Sequence, residues 1–144
     1  MFKVDIYIET SIKGPVRRKG WYAAVLVYKK YSKTYTRHDY GMDADTTYVQ
    51  SALNAMIASL KRLNTNCEVT IHTDCTFIFN AIKQNWLRDW EHNGYLSVNG
   101  HPVANKKEWQ QISKLIKNHK VTFKIEEVNA YSEEMKVEAK ARWA

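Results

Sequence analysis

Cysteine is nearly missing from this chain. Cys67 and Cys75 are the only two, eight positions apart, with no CxxC and no histidine placed to complete a ligand set. A disulfide framework and a zinc site are both excluded on that spacing, and the two read as reduced thiols in or near a core. With two prolines and five glycines in 144 residues, there is no linker, internal repeat or low-complexity segment, so one domain spanning 1–144 is expected. No apolar run approaches the roughly 20 residues that a spanning helix needs, which argues against a membrane. Asp5 and Glu9 interrupt the apolar start, so it does not read as a secretory leader, and the expected location is cytoplasmic. Acid is also in short supply. There are 15 Asp and Glu against 22 Lys and Arg, a net charge of +7. That balance favours a polyanionic partner, nucleic acid first.

The charge is partly segregated. Arg17-Arg18-Lys19, Lys29-Lys30, Lys106-Lys107 and Lys114, Lys117 and Lys120 form basic clusters. Glu126, Glu127, Glu133, Glu134 and Glu138 crowd the last part of the chain. Such a pattern suits a basic surface around an acidic site, although each cluster is equally compatible with a solvated face.

What is present in quantity is apolar periodicity. Phe2, Val4, Ile6 and Ile8 alternate as a strand. Gly14-Pro15 and the basic run after it mark a loop, Trp21 to Tyr28 a second strand, and Lys33 to Tyr40 a partly exposed third. Asp43 to Thr47 is rich in capping residues. Val49, Leu53, Met56, Leu60 and Leu63 then predict an amphipathic helix of about five turns. A fourth strand starts at Cys67 and stops at Asp74, and a helix follows to about Lys83. Trp86 and Trp90 predict a short helix, Glu91 to Pro102 a loop, and Asn105 to Asn118 a helix with Trp109, Ile112, Leu115 and Ile116 inward. Val121, Phe123 and Ile125 form a fifth strand. A helix from Ser132 is predicted to bury Val137, Ala141 and Ala144. The order is βββ-α-β-α-α-α-β-α.

Asp74 is the most informative residue of this pattern. It stands at the carboxyl end of an apolar strand, where α/β proteins place their chemistry. The alternative is a helix cap for the segment that follows.

The order of elements and several motifs resemble the type 1 ribonuclease H family along essentially the whole chain. Tyr7-Ile8-Glu9-Thr10-Ser11 is similar to the family's Tyr-Thr-Asp-Gly-Ser stretch. Gly20-Trp21-Tyr22-Ala23-Ala24-Val25-Leu26 resembles its glycine-rich start of strand two, and Thr73-Asp74-Cys75 its Thr-Asp-Ser. Trp86, Trp90, Gly94-Tyr95, Pro102-Val103, Asn105 and Trp109 follow the spacing of the bacterial enzymes' extra helix and basic handle. The resemblance implies an α/β, ribonuclease H-like fold: a five-stranded mixed sheet, three antiparallel strands then two parallel, with helices on both faces. It implies hydrolysis of the RNA strand of RNA–DNA hybrids by two divalent ions, Mg²⁺ or Mn²⁺, held by four carboxylates.

Carried over by position, those ligands fall on Glu9, Gln50, Asp74 and Glu138, of which Asp74 alone keeps the family's side chain. Glu9 is one methylene longer. Gln50 lacks the charge, and its match depends on a helix start at Thr46-Thr47; a slip of one residue gives Ser51. Glu138 matches if Val137 and Ala141 are buried, and Glu134 lies one turn earlier on the same face. The family's loop histidine has no counterpart in Val128-Asn129-Ala130-Tyr131. Thr10, Ser11, Thr46, Thr47, Trp86 and Asn105 fall at the nucleic-acid contacts, although the tryptophans Trp86, Trp90 and Trp109 are better suited to a core than to base stacking. The resemblance thus implies a monomeric hydrolase of reduced activity. The alternatives are a module that binds hybrid or double-stranded nucleic acid without cutting, and a scaffold alone.

Overall fold

The computed structural model describes residues 1–143. Ten elements follow in the order β1 (Phe2–Thr10), β2 (Arg18–Lys30), β3 (Lys33–Thr46), α1 (Tyr48–Leu60), β4 (Cys67–Thr73), α2 (Thr76–Lys83), α3 (Trp86–Asn93), α4 (Lys106–Ile116), β5 (Lys120–Ile125) and α5 (Ser132–Trp143). The five strands form one sheet in the order β3-β2-β1-β4-β5. β1 pairs antiparallel with β2 and β2 with β3, while β4 runs parallel to both β1 and β5. This is the mixed sheet the sequence predicts.

Strand alternation sorts the side chains onto two layers. Val4, Ile6 and Ile8 of β1 join Ala24, Leu26, Val69 and Ile71 under α1, α2 and α4, whose Leu53, Met56, Ile78, Trp109 and Ile112 complete the larger core. On the other face Ala23 and Val25 are covered by Met135 of α5, with Tyr7 and Tyr131 at the margin. Helices therefore cover both faces, and β1 and β4 are central. Their carboxyl ends open on the same edge of the sheet, because Tyr7 pairs with His72 in parallel register.

Several boundaries differ from the sequence reading. β3 runs on to Thr46, because it pairs with the long β2 as far as Arg18. The capping role in the Asp43–Thr47 segment falls to Thr47 alone, whose side chain accepts from Gln50 N. α1 then ends at Leu60, about 3.6 turns rather than five. α3 runs to Asn93 and carries Glu91 and His92 out of the predicted loop; Gly94, at φ 78°, ends it in the left-handed conformation that glycine accepts. In α5 the buried residues are Ser132, Met135 and Ala139, and Val137 is 59% exposed. The predicted Val137 and Ala141 face is therefore corrected by a rotation of the helix. Ala144 lies outside the described residues.

Candidate functional site

Glu9 and Asp74 come together at the carboxyl ends of β1 and β4. Glu9 is the penultimate residue of β1 and only 3% exposed. A buried carboxylate is costly unless it is paired. Its partner is Lys13, four residues on in the β1–β2 loop, whose Nζ donates to Glu9 Oε1 and, at 2.8 Å, to Asp74 Oδ2. Thr10 N also points at Glu9 Oε1, at 3.3 Å. Burial opposes the charge on Lys13, but the hydrogen bonds to Asp74 and Glu9 outweigh it and hold the ammonium above its ordinary range.

Asp74 does not cap α2. The N-cap position is Cys75, which makes no side-chain cap, and Cys75 N donates instead to Thr73 Oγ1 at 3.1 Å. The Asp74 carboxylate is thus free to face the site. Its second oxygen, Oδ1, accepts from the Tyr48 hydroxyl at 2.5 Å. Burial, followed by this hydrogen bond, pushes the Tyr48 phenol far up, so it stays a proton donor. Tyr48 is the first residue of α1, and its ring lies 5.9 Å from Lys13 Nζ, within cation–π range. Neither Lys13 nor Tyr48 stood out in the sequence.

The other predicted ligands lie elsewhere. Gln50 Oε1 accepts from Thr46 Oγ1 at 3.0 Å, and Gln50 Nε2 donates to Glu108 Oε2 of α4 at 3.2 Å. Glu138 accepts from Arg142 Nε at 2.9 Å and lines a groove with His38 and Tyr40 on the α5 side of the sheet. This follows from the face of α5 that packs on the sheet: with Met135 and Ala139 inward, Glu138 is turned toward β3. Glu134, the alternative, faces His38 at 3.9 Å. Ahead of α5, Asn129 Nδ2 donates to Ile8 O at 3.2 Å.

The predicted nucleic-acid contacts are mostly engaged within the chain. Thr10 Oγ1 donates to Ile12 O, Ser11 Oγ accepts from Trp21 N, and Thr46 and Thr47 serve Gln50 as described. Trp86 tilts against Phe77 at 5.8 Å, which in turn packs on the fully buried Trp109. Asn105 is the N-cap of α4, at φ 61°.

A two-ion centre needs several oxygen ligands converging on one point. Among the described residues no three of His, Cys, Asp and Glu do so. Two carboxylates converge, a phenol donates to one of them, and an ammonium lies between the acids. As arranged, these residues do not fit a two-ion cluster. They form a compact cation–carboxylate site with a proton donor at its edge.

Residues 2–136 match the sequence model of the RNase H family. A ribonuclease H of Thermoanaerobacter sp. (strain X514) is 34% identical over 120 residues, covering 83% of this chain and 74% of that one. A ribonuclease H of Acetivibrio thermocellus is 34% identical over 121 residues, covering 84% and 79%. Among solved structures, LC9-RNase H1, described as a type 1 RNase H with the type 2 active-site motif, superposes with a TM-score of 0.78 at 20% identity, over 99% of this chain and 74% of that one. LC11-RNase H1, solved in complex with RNA/DNA hybrid, superposes with a TM-score of 0.64 at 17% identity, over 92% of each chain. Sequence and fold agree, and the chain belongs to the RNase H family.

Proposed function

We propose that this chain recognises RNA–DNA hybrids at the carboxyl ends of β1 and β4 and hydrolyses the RNA strand at a strongly reduced rate. The observation that carries this reading is the Glu9–Asp74 pair, assembled on adjacent parallel strands of a ribonuclease H sheet. Support for the substrate comes from the family itself and from the relative solved with hybrid. Family members generally use divalent metal ions. The reduced rate follows from the ligand set, because Gln50 and Glu138 are directed to other partners. Misplacing one reacting group by about 1 Å already costs around a hundredfold. Lys13 spends two of its three protons on Glu9 and Asp74, which leaves one for a phosphate oxygen.

The Lys13 bridge also favours a second reading, in which the domain binds hybrid and does not cut it. Hybrid cleavage and hybrid binding, measured side by side in Mg²⁺, Mn²⁺ and EDTA, separate the two. Cleavage that disappears in Asp74→Asn supports the hydrolase. Salt-sensitive hybrid binding with no cleavage in either metal supports the binding module. Absence of both overturns hybrid recognition.

A further inference from the structure

The loop that carries Lys13 is built with unusual economy. Thr10 Oγ1 donates to Ile12 O at 2.9 Å, and Ser11 Oγ accepts from Trp21 N at 2.9 Å while Ser11 N donates to Trp21 O at 3.0 Å. Ile12 is fully buried, and its side chain fills the space above Gly20, where an added Cβ would lie 2.7 Å from Ile12 Cδ1. Each residue between Glu9 and Lys13 is thus fixed by a contact to the sheet. The ammonium then meets Glu9, Asp74 and the Tyr48 ring together. A flexible surface lysine has no such tether and no such set of partners.

We infer that Lys13 is the resident cation of the Glu9–Asp74 pair, standing where a divalent ion is expected, so that a metal ion binds there only by displacing it. This rests on the reading that the strand-end pair is the functional site. The physical argument is one of charge and space. Glu9 and Asp74 together carry two negative charges, and Lys13 already offsets one of them at hydrogen-bond distance. A divalent ion added beside it meets a like charge a few ångström away, against a Glu9 that is almost fully buried, although Lys13 itself stays 41% exposed on its outer side. The ion also finds Asp74 Oδ2 and Glu9 Oε1 occupied as acceptors. Removing the ammonium leaves two uncompensated carboxylates and a tyrosine hydroxyl, a better cation site than the native one. Family membership does not supply this property; it belongs to the lysine in this loop.

The test is Mn²⁺ binding by titration calorimetry on the intact chain, wild type against Lys13→Met and Lys13→Gln, with folding checked by circular dichroism. Both variants are expected to bind Mn²⁺ at least about tenfold more tightly than wild type, a difference that a further Asp74→Asn change abolishes. Equal binding by wild type and variants, including no binding by either, overturns the inference. So does tighter binding by wild type. Should the variants fail to fold, the ¹⁵N-edited ammonium signal of Lys13 in the wild type decides the matter. It is expected to keep its shift as Mg²⁺ is raised to millimolar levels; a shift that saturates well below that overturns the inference. Hybrid binding measured in EDTA keeps the two claims apart, since its loss removes the proposed function and leaves the metal result standing.

Discussion

Gln50 Nε2 donates to Glu108 Oε2, so a carboxylate introduced at position 50 faces another carboxylate rather than Asp74. Gln50→Glu is therefore expected to gain no hybrid cleavage and to lower stability by a few tenths to about 1 kcal/mol, read from denaturant melts. A gain in cleavage would show that α1 turns its third residue toward the strand ends when substrate is bound. His119 offers a pH handle of a different kind. Burial holds its pKa below the ordinary 6.5, and its Nδ1 accepts from Cys67 N at 3.1 Å. Between the unfolded and folded values the unfolded chain binds the extra proton, so stability rises with pH through this window and is lost as pH falls below about 6.5. His119→Asn keeps an acceptor without the titration. The gap between wild type and variant in denaturant midpoint should accordingly change from about pH 7 to about pH 5, with the wild type losing ground on the acid side; parallel curves would rule this out. Asp74 is legible in the sequence because it follows directly on an alternating apolar strand, whereas Glu9 enters only through the resemblance of Tyr7-Ile8-Glu9-Thr10-Ser11 to the family's stretch. Lys13 and Tyr48 are not legible, because a lysine in a loop and a tyrosine at a helix start carry no periodic signal, and only the closure of the sheet brings them to Asp74.

At the scale of elements, α5 shows how a short helix hides its register. Its sequence offers two apolar i, i+4 pairs, Val137 with Ala141 and Met135 with Ala139, and the buried set is completed by a polar residue, Ser132. The polar member breaks the hydrophobic pattern, so periodicity alone points to the Val137 and Ala141 stripe. Packing chose the other, since Met135 fits against Ala23 and Val25, where the sheet is lined by small residues. Met135→Ala is expected to cost about 2–4 kcal/mol by urea unfolding, as a large-to-small change in a filled site. Val137→Lys should stay within about 0.5 kcal/mol. Reversed sizes would mean that α5 docks in the predicted register, with Glu138 returned toward the strand ends. The α1–α4 contact carries a second signature. Ser51 Oγ and Trp109 Nε1 are buried polar atoms with no hydrogen-bond partner. An unpaired buried hydroxyl is a cost with no return, so Ser51→Ala is expected to be neutral or to stabilise by about 1 kcal/mol in thermal unfolding. Destabilisation by more than that would place a bound water at Ser51. Alternation in β1 and β4 and continuity in β2 report burial directly, so these strands are legible. Ends of β3 and α3 are not, because partners distant in sequence set them: β2 for the first and a Gly94 turn for the second.

Across the whole molecule, position rather than total charge decides what the excess of +7 can do. Arg18 opens β2 and pairs in register with Thr46, immediately before the Thr47 cap and Tyr48. Lys106 and Lys107 open α4, whose Glu108 is joined to Gln50 at the start of α1. The starts of β2, α1 and α4 thus share the edge on which Glu9 and Asp74 open, and Arg18, Lys19, Lys106 and Lys107 are exposed there. Lys29 and Lys30 close β2 at the opposite end of the sheet. Each phosphate neutralised by a basic side chain steepens the fall of affinity with salt by about 0.9 in the log–log slope. The expected outcome is therefore asymmetric. Arg18→Ala with Lys19→Ala, and Lys106→Ala with Lys107→Ala, should each weaken hybrid binding and flatten its salt slope by about one to two. Lys29→Ala with Lys30→Ala should leave the slope unchanged, although it removes the same formal charge. Fluorescence anisotropy of a labelled hybrid across a salt series gives all three slopes. Equal flattening by all three pairs would mean that the hybrid senses only net charge, and the strand-end edge would lose its claim to be the binding face.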